Sequence, residues 1–271
     1  MRSFFRRFLL LALVVTCGAS AADTGIATIS AQIREHAGMH CVLVLVEWHG
    51  TRETPLLVAD LLETSSRDGR PVVLALEVPR GEHGRLRHYM ASAGDAQVRA
   101  LLGASPFWAI KDDQHDGRRS RDMLDLIEAA RALKAQGRDV AVTGVDLDRS
   151  NAGNQRRDDA MVTQVRRLHD ALLARGRLLV LTGNVHALRV RPARAPAAMQ
   201  QRPMASQLRD LDIYSVRVDA QRGSAWGCFD RCRPWPLPER DDAQPRASGG
   251  VDRLYDLWVF LPQLSVGRLR P

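Results

Sequence analysis

Four Val- and Leu-rich runs each lead to a residue that can move a proton or hold a charge. CVLVLVE (41–47) ends in Glu47 and is followed by His49, and PVVLALE (71–77) ends in Glu77. DVAVTGVD (139–146) ends in Asp146, and RLLVLTG (177–183) leads through Gly183 to His186. Residues two apart in an extended chain point to one face, so Glu47 and His49 converge if the strand persists to its exit. Gly50 then permits a sharp turn. Two histidines with two or three carboxylates suit two chemistries. In one, His49 takes a proton from water while a carboxylate fixes its tautomer, and His186 steadies charge developing on a carbonyl oxygen. In the other, Glu47, His49, Glu77 and His186 hold a divalent metal that activates the water. Spacing does not separate the two. Each residue also has a plainer reading when taken singly: Glu77 as a cap or ion-pair partner, His186 as a hydrogen-bonded loop residue, Asp146 as a turn residue. Their joint arrival at strand ends is what argues for a site.

The elements that must position them follow from the pattern. The four runs are short, continuous and bounded by turn residues, as buried parallel strands are. Helical spacing fills the gaps. It appears in TRETPLLVADLLETSSRDG, in RRSRDMLDLIEAARALKAQG with its terminal glycine, and in NQRRDDAMVTQVRRLHDALLARG. Alternating strands and helices predict one α/β domain over 22–271, a mainly parallel sheet flanked by helices. In such sheets ligands bind beyond the carboxyl ends of the strands. The runs 212–219 and 254–261 extend the sheet. Residues 79–116 are less regular, with short helices around 83–102, and are expected to form a helical lid over those strand ends. Residues 220–251 are rich in Pro, Gly, Arg and Asp. They read as an excursion pinned by a disulfide between Cys228 and Cys232 in WGCFDRC, given an oxidising compartment.

Composition bounds the function further. The 271 residues are 45% hydrophobic, enough for one ample core, and the formal charge is +8. Lys111 and Lys134 are the two lysines, and the arginines are scattered. With no basic run interleaved with aromatics, nucleic-acid binding is read against and a small-molecule substrate is expected. The amino terminus reads as an export signal over 1–21. MRSFFRRF is its charged opening, LLLALVVTCG its short apolar core, and ASA a small-x-small site cut after Ala21. Thr16 disfavours the rival lipoprotein reading through Cys17. Loss of Arg2, Arg6 and Arg7 leaves 36 basic against 31 acidic residues, and the mature chain is expected in the periplasm or secreted. No later segment is long and apolar enough for a membrane helix.

The motifs also form an ordered set. EWHGTRETP, LALEVP, DGRRS, RRDDAM and TGNVHA together resemble the erythromycin-esterase-like proteins and the related haem-binding ChaN-like group, with Tiki-type proteases as more distant relatives. The likeness spans 45–189. It implies an α/β fold with the site at the strand ends. It also implies His49 as the base that activates water, Glu77 and His186 as its partners, and a helix start marked by Arg157, Asp158 and Met161. Val46 stands where the esterases carry glycine, and one residue separates Glu47 from His49 where they have two. That shorter gap is closer to the ChaN-like pattern, whose implied activity is haem or iron binding without turnover. The expectation is an exported hydrolase of an ester or related acyl bond, with or without a divalent metal. Arg52, Glu53 and Arg119 are candidates to bind substrate or to tie the site's loops together.

Overall fold

The computed structural model describes residues 21–111, 114, 116–148, 153–172, 175–191, 195, 200–228, 230–241, 246–247 and 254–269. The predicted export segment, apart from Ala21, lies outside them. The predicted α/β architecture is the observed one. The strands are β1 (Val42–Glu47), β2 (Val72–Pro79), β3 (Val140–Asp146), β4 (Arg177–Gly183), β5 (Ile213–Ala220) and β9 (Leu257–Leu261). They form one parallel sheet in the order β3-β2-β4-β1-β5-β9, with the short β8 (Arg246–Ala247) antiparallel at its edge. β4 inserts between β1 and β2, so the strand ends carrying Glu77, Gly183 and Glu47 lie side by side. Glu47 is in register with Gly183.

Both faces of the sheet are covered, which is why its strands are apolar throughout. On one face Leu43, Leu45, Leu74 and Leu76 meet helices α1 (Ala21–Ala37), α2 (Glu53–Ser65), α3 (His83–Met90) and α5 (Arg121–Ala135). On the other, Val42, Val44 and Val46 meet α6 (Asn154–Leu172) and the short α7 (Met204–Gln207). α1 was not singled out in the sequence, yet Ile26, Ile29 and Ile33 recur at helical spacing and are buried. α5 starts where the Ser120 side chain accepts from Met123 N, 3.2 Å away, and the chain turns at Gly137 with φ +88. Leu45 is fully buried, and truncating it to alanine costs about 2–5 kcal/mol. None of the described helices is long and apolar enough to cross a membrane.

The described part of residues 79–116 includes a 3-10 turn (Arg80–Glu82), α3 and α4 (Ala96–Gly103). They leave the carboxyl end of β2 and pack on β3 and α5, burying Leu86, Tyr89 and Met90. The excursion after β5 holds a two-stranded antiparallel hairpin, β6 (Ser224–Cys228) and β7 (Cys232–Pro236), closed by the Cys228–Cys232 disulfide. Its prolines and glycines hid these strands from the sequence, because both residue types are depleted in strands.

Candidate functional site

A cavity of about 610 Å³ opens at the carboxyl ends of the strands, within the usual range of about 300–1,000 Å³ for small-molecule sites. Glu47, His49, Glu77, Asp116, Arg157 and His186 line its polar part. Local backbone chemistry brings them there. After β1 the chain turns at Gly50, φ +66, against Gly117, φ +93. A Cβ on Gly117 would lie 2.4 Å from the Gly50 Cα, so the two loops touch backbone to backbone and only glycines allow it. That contact sets His49 beside Asp116.

His49 Nδ1 lies 2.7 Å from Glu47 Oε1, the convergence that the two-residue spacing predicts. Its Nε2 points toward Glu77, 3.8 Å from Oε2. His186 mirrors this arrangement: Nδ1 is 2.9 Å from Asp158 Oδ1, and Nε2 is 3.7 Å from Glu77 Oε1. Neither Nε2 separation is a hydrogen bond. Two histidines, each oriented by its own carboxylate, therefore face one glutamate from two sides.

Glu77 is buried and fully engaged. Oε2 accepts from Thr182 Oγ1 at 2.8 Å and Gly183 N at 2.7 Å. Oε1 accepts from Arg118 Nη1 at 2.9 Å and from Arg157 Nη2. Burial alone would raise its pKa, but His186, Arg118, His49 and Arg157 outweigh it and hold the carboxyl well below its ordinary range. Asp146 accepts from the same two guanidinium groups, at 3.2 Å from Arg118 and 2.7 Å from Arg157. Burial pulls the pKa of His49 down, while Glu47, Glu77 and Asp116 overcome it and push it up to about 9. Burial raises the pKa of Asp158, which takes both His186 and Met204 N on Oδ1.

The predicted residues divide into three groups. Glu47, His49, Glu77 and His186 meet, with Asp146, Arg157 and Asp158 directly behind them. Asp158, Met161 and Val165 are the buried stripe of α6, which explains the arginine-aspartate-methionine spacing. Arg52 and Glu53 do not reach the cavity. Arg52 is exposed, and Glu53 accepts from Ser265 N at 2.7 Å and from its hydroxyl, tying the carboxy-terminal segment to α2. Arg119 turns away as well: its Nε donates to Phe107 O at 2.7 Å, and its guanidinium stacks 4.3 Å from the Phe107 ring. Its neighbour Arg118 takes the inward place. Sequence reasoning missed Arg118 and Asp116, whose carboxylate accepts from Arg118 Nε at 3.0 and 3.1 Å. The signal was present in DGRRS, but a loop has no period to say which arginine points inward.

The donor chemistry does not fit a divalent cation. Both Glu77 oxygens are taken by N–H and O–H donors, and two fixed guanidinium charges stand beside them. Among the described residues, no group of three or more His, Cys, Asp or Glu is disposed to hold a metal. Tyr89 is absent from the cavity lining, and its hydroxyl donates to Glu128 Oε2 at 2.5 Å.

No family model and no curated protein matches the sequence. Solved structures do match. An erythromycin esterase (EreC), captured as a histidine-to-asparagine mutant in its open conformation, superposes with a TM-score of 0.65 at 11% identity, covering 88% of this chain and 94% of that one. This chain has the erythromycin-esterase fold. A succinoglycan biosynthesis protein matches at a TM-score of 0.57 and 10% identity, covering 93% of this chain and all of the other. The type III effector HopBA1 matches at 0.54 and 13%, covering 88% and 93%. A haem-binding ChaN of Campylobacter jejuni reaches 0.34, a likeness that carries no weight. Proteins of different function thus share this fold, so function has to be argued from the site.

Proposed function

We propose that the protein is an exported hydrolase of an ester or related acyl bond that uses His49 to activate water. One observation carries the reading: the Glu47–His49 and Asp158–His186 pairs turn their Nε2 atoms toward Glu77 at the floor of the cavity. With Nδ1–H held by Glu47, neutral His49 has Nε2 left to take a proton from water. The water oxygen adds to the substrate carbonyl. His186 Nε2–H then donates to the oxygen on which negative charge develops. The imidazolium formed at His49 returns its proton to the leaving group. Glu77 keeps its charge throughout, because the Arg118 and Arg157 guanidinium groups hold it ionised. The likeness in fold to an erythromycin esterase supports this reading. Export is supported by the Cys228–Cys232 disulfide, a bond that persists in oxidising compartments.

The test is hydrolysis of p-nitrophenyl esters by the purified protein and by His49→Ala and His186→Ala, with folding checked by thermal unfolding. The reading expects at least a hundredfold loss of kcat/KM for His49→Ala in a folded protein. Full activity in that variant would end the assignment of the base.

A further inference from the structure

The β6–β7 hairpin and the two residues after it also line the cavity, contributing Ala225, Gly227, Trp235, Pro236, Leu237 and Pro238. Ala225 and Trp235 are in register, so the small residue leaves room beside the large ring. The ring is fixed in orientation. Trp235 Nε1 donates to Gly227 O across the hairpin at 2.9 Å, and the Arg233 guanidinium stacks 3.5 Å from its centroid. The hairpin itself is held at both ends. Ser224 N and Leu237 N donate to Leu264 O and Gly223 O at its base, the disulfide closes its turn, and Trp226 N donates to Gly50 O at 3.3 Å. That last bond joins the wall to the residue following His49.

We infer that this wall is a specificity surface that receives a bulky, uncharged apolar group of the substrate, an aryl or branched alkyl substituent on one side of the acyl bond. Three physical points lead there. Flat apolar surface held rigid before binding loses little entropy when a ligand covers it. A cationic substituent laid against Trp235 would lose its water and meet the Arg233 guanidinium stacked on that ring. The volume exceeds what a small acyl group such as acetyl fills, and the Gly50 bond keeps the wall in register with His49. The placement of the acyl bond rests on the hydrolase reading, whereas the binding of the apolar group does not.

Two measurements on the intact mature protein separate these. Calorimetry compares 4-phenylbutan-2-one with butan-2-one, ketones that no hydrolase can cleave. pH-stat assays compare phenethyl acetate and ethyl 4-phenylbutanoate with ethyl acetate. The aryl ketone should bind at least tenfold more tightly than butan-2-one, and Trp235→Ala should remove most of that difference while Trp235→Phe restores it. At least one aryl ester should exceed ethyl acetate tenfold in kcat/KM, and which of the two does so tells whether the wall takes the alcohol or the acyl side. Equal ketone affinities in the wild type, or a preference that Trp235→Ala leaves intact, would overturn the inference. Aryl-ketone binding through Trp235 without hydrolysis of any ester would keep the wall and remove the hydrolase reading instead.

Discussion

Gly183 makes room for His49. A Cβ at position 183 would stand 2.7 Å from His49 Nε2 and 3.4 Å from Glu77 Oε2, while the Gly183 N–H donates to that same oxygen. The glycine at the end of β4 therefore sets the distance between the imidazole and the glutamate. Gly183→Ala is expected to displace the ring, since the glycine backbone is fixed by the sheet and cannot yield. Displacement of a reacting group by about 1 Å can cost on the order of a hundredfold in rate. The variant should unfold within a few degrees of wild type yet lose kcat by about that factor. Unchanged kcat would show that the ring position does not matter to turnover.

The ionisation of His49 gives the second prediction. Folding raises its pKa from 6.5 to about 9. A base must be neutral, so kcat/KM should climb with pH through neutrality, reach half its plateau near pH 9 and level off above it. Glu47→Gln removes the first of the carboxylates that hold the proton and should move that inflection toward neutral pH. Stability runs the other way. A group whose pKa is raised by folding stabilises the native state fully below its unfolded pKa, and this contribution disappears as the pH rises through the folded value. The protein should lose on the order of 3 kcal/mol between pH 6.5 and 9 from this group. Thermal unfolding across that window, compared with His49→Ala, measures it; parallel curves would contradict the assigned protonation.

Much of this was legible in the sequence because strand ends in a parallel sheet are easy to place. Glu47, Glu77 and Asp146 each close an apolar run, and the sheet order brings those ends together. His186 and Asp158 were legible through short motifs, although nothing in the sequence said that the one would orient the other. Loops carried less. Arg118 and Arg119 are neighbours of one type in a segment with no periodicity, and their opposite fates depend on Phe107 and Glu77, both distant in sequence. The apolar wall was hidden because Pro234 and Pro236 argue against a strand, and β7 survives as part of an isolated two-stranded ribbon where few ladder bonds are needed.

That pair of arginines can be set against each other by experiment. Arg118 bridges Glu77, Asp146 and Asp116 in a buried network, so Arg118→Ala leaves buried carboxylates short of a cation and should cost about 3–5 kcal/mol. Arg119→Ala gives up one hydrogen bond to a carbonyl, a stacking contact on Phe107 and a long ion pair with Asp116 at 3.8 Å, about 1–3 kcal/mol. Denaturant unfolding should rank them in that order. Ester hydrolysis should fall steeply in the first variant and stay within a few-fold of wild type in the second. The reverse ranking would mean that Arg119 holds the site.

Removal of metal supplies the last test. A dication at Glu77 would have to share its oxygens with Arg118, Arg157, Thr182 and Gly183, four donors already in place. Like charges in so dry a setting repel strongly, and the two guanidinium groups cannot give up their protons to make room. Exhaustive dialysis against EDTA should therefore leave kcat/KM unchanged, and added Zn²⁺ or Mn²⁺ should not raise it. If activity instead vanished on chelation and returned stoichiometrically with metal, the arginine network would have to open in the working enzyme. Glu47, His49 and His186 would then be re-read as ligands, and His49 would no longer be the base.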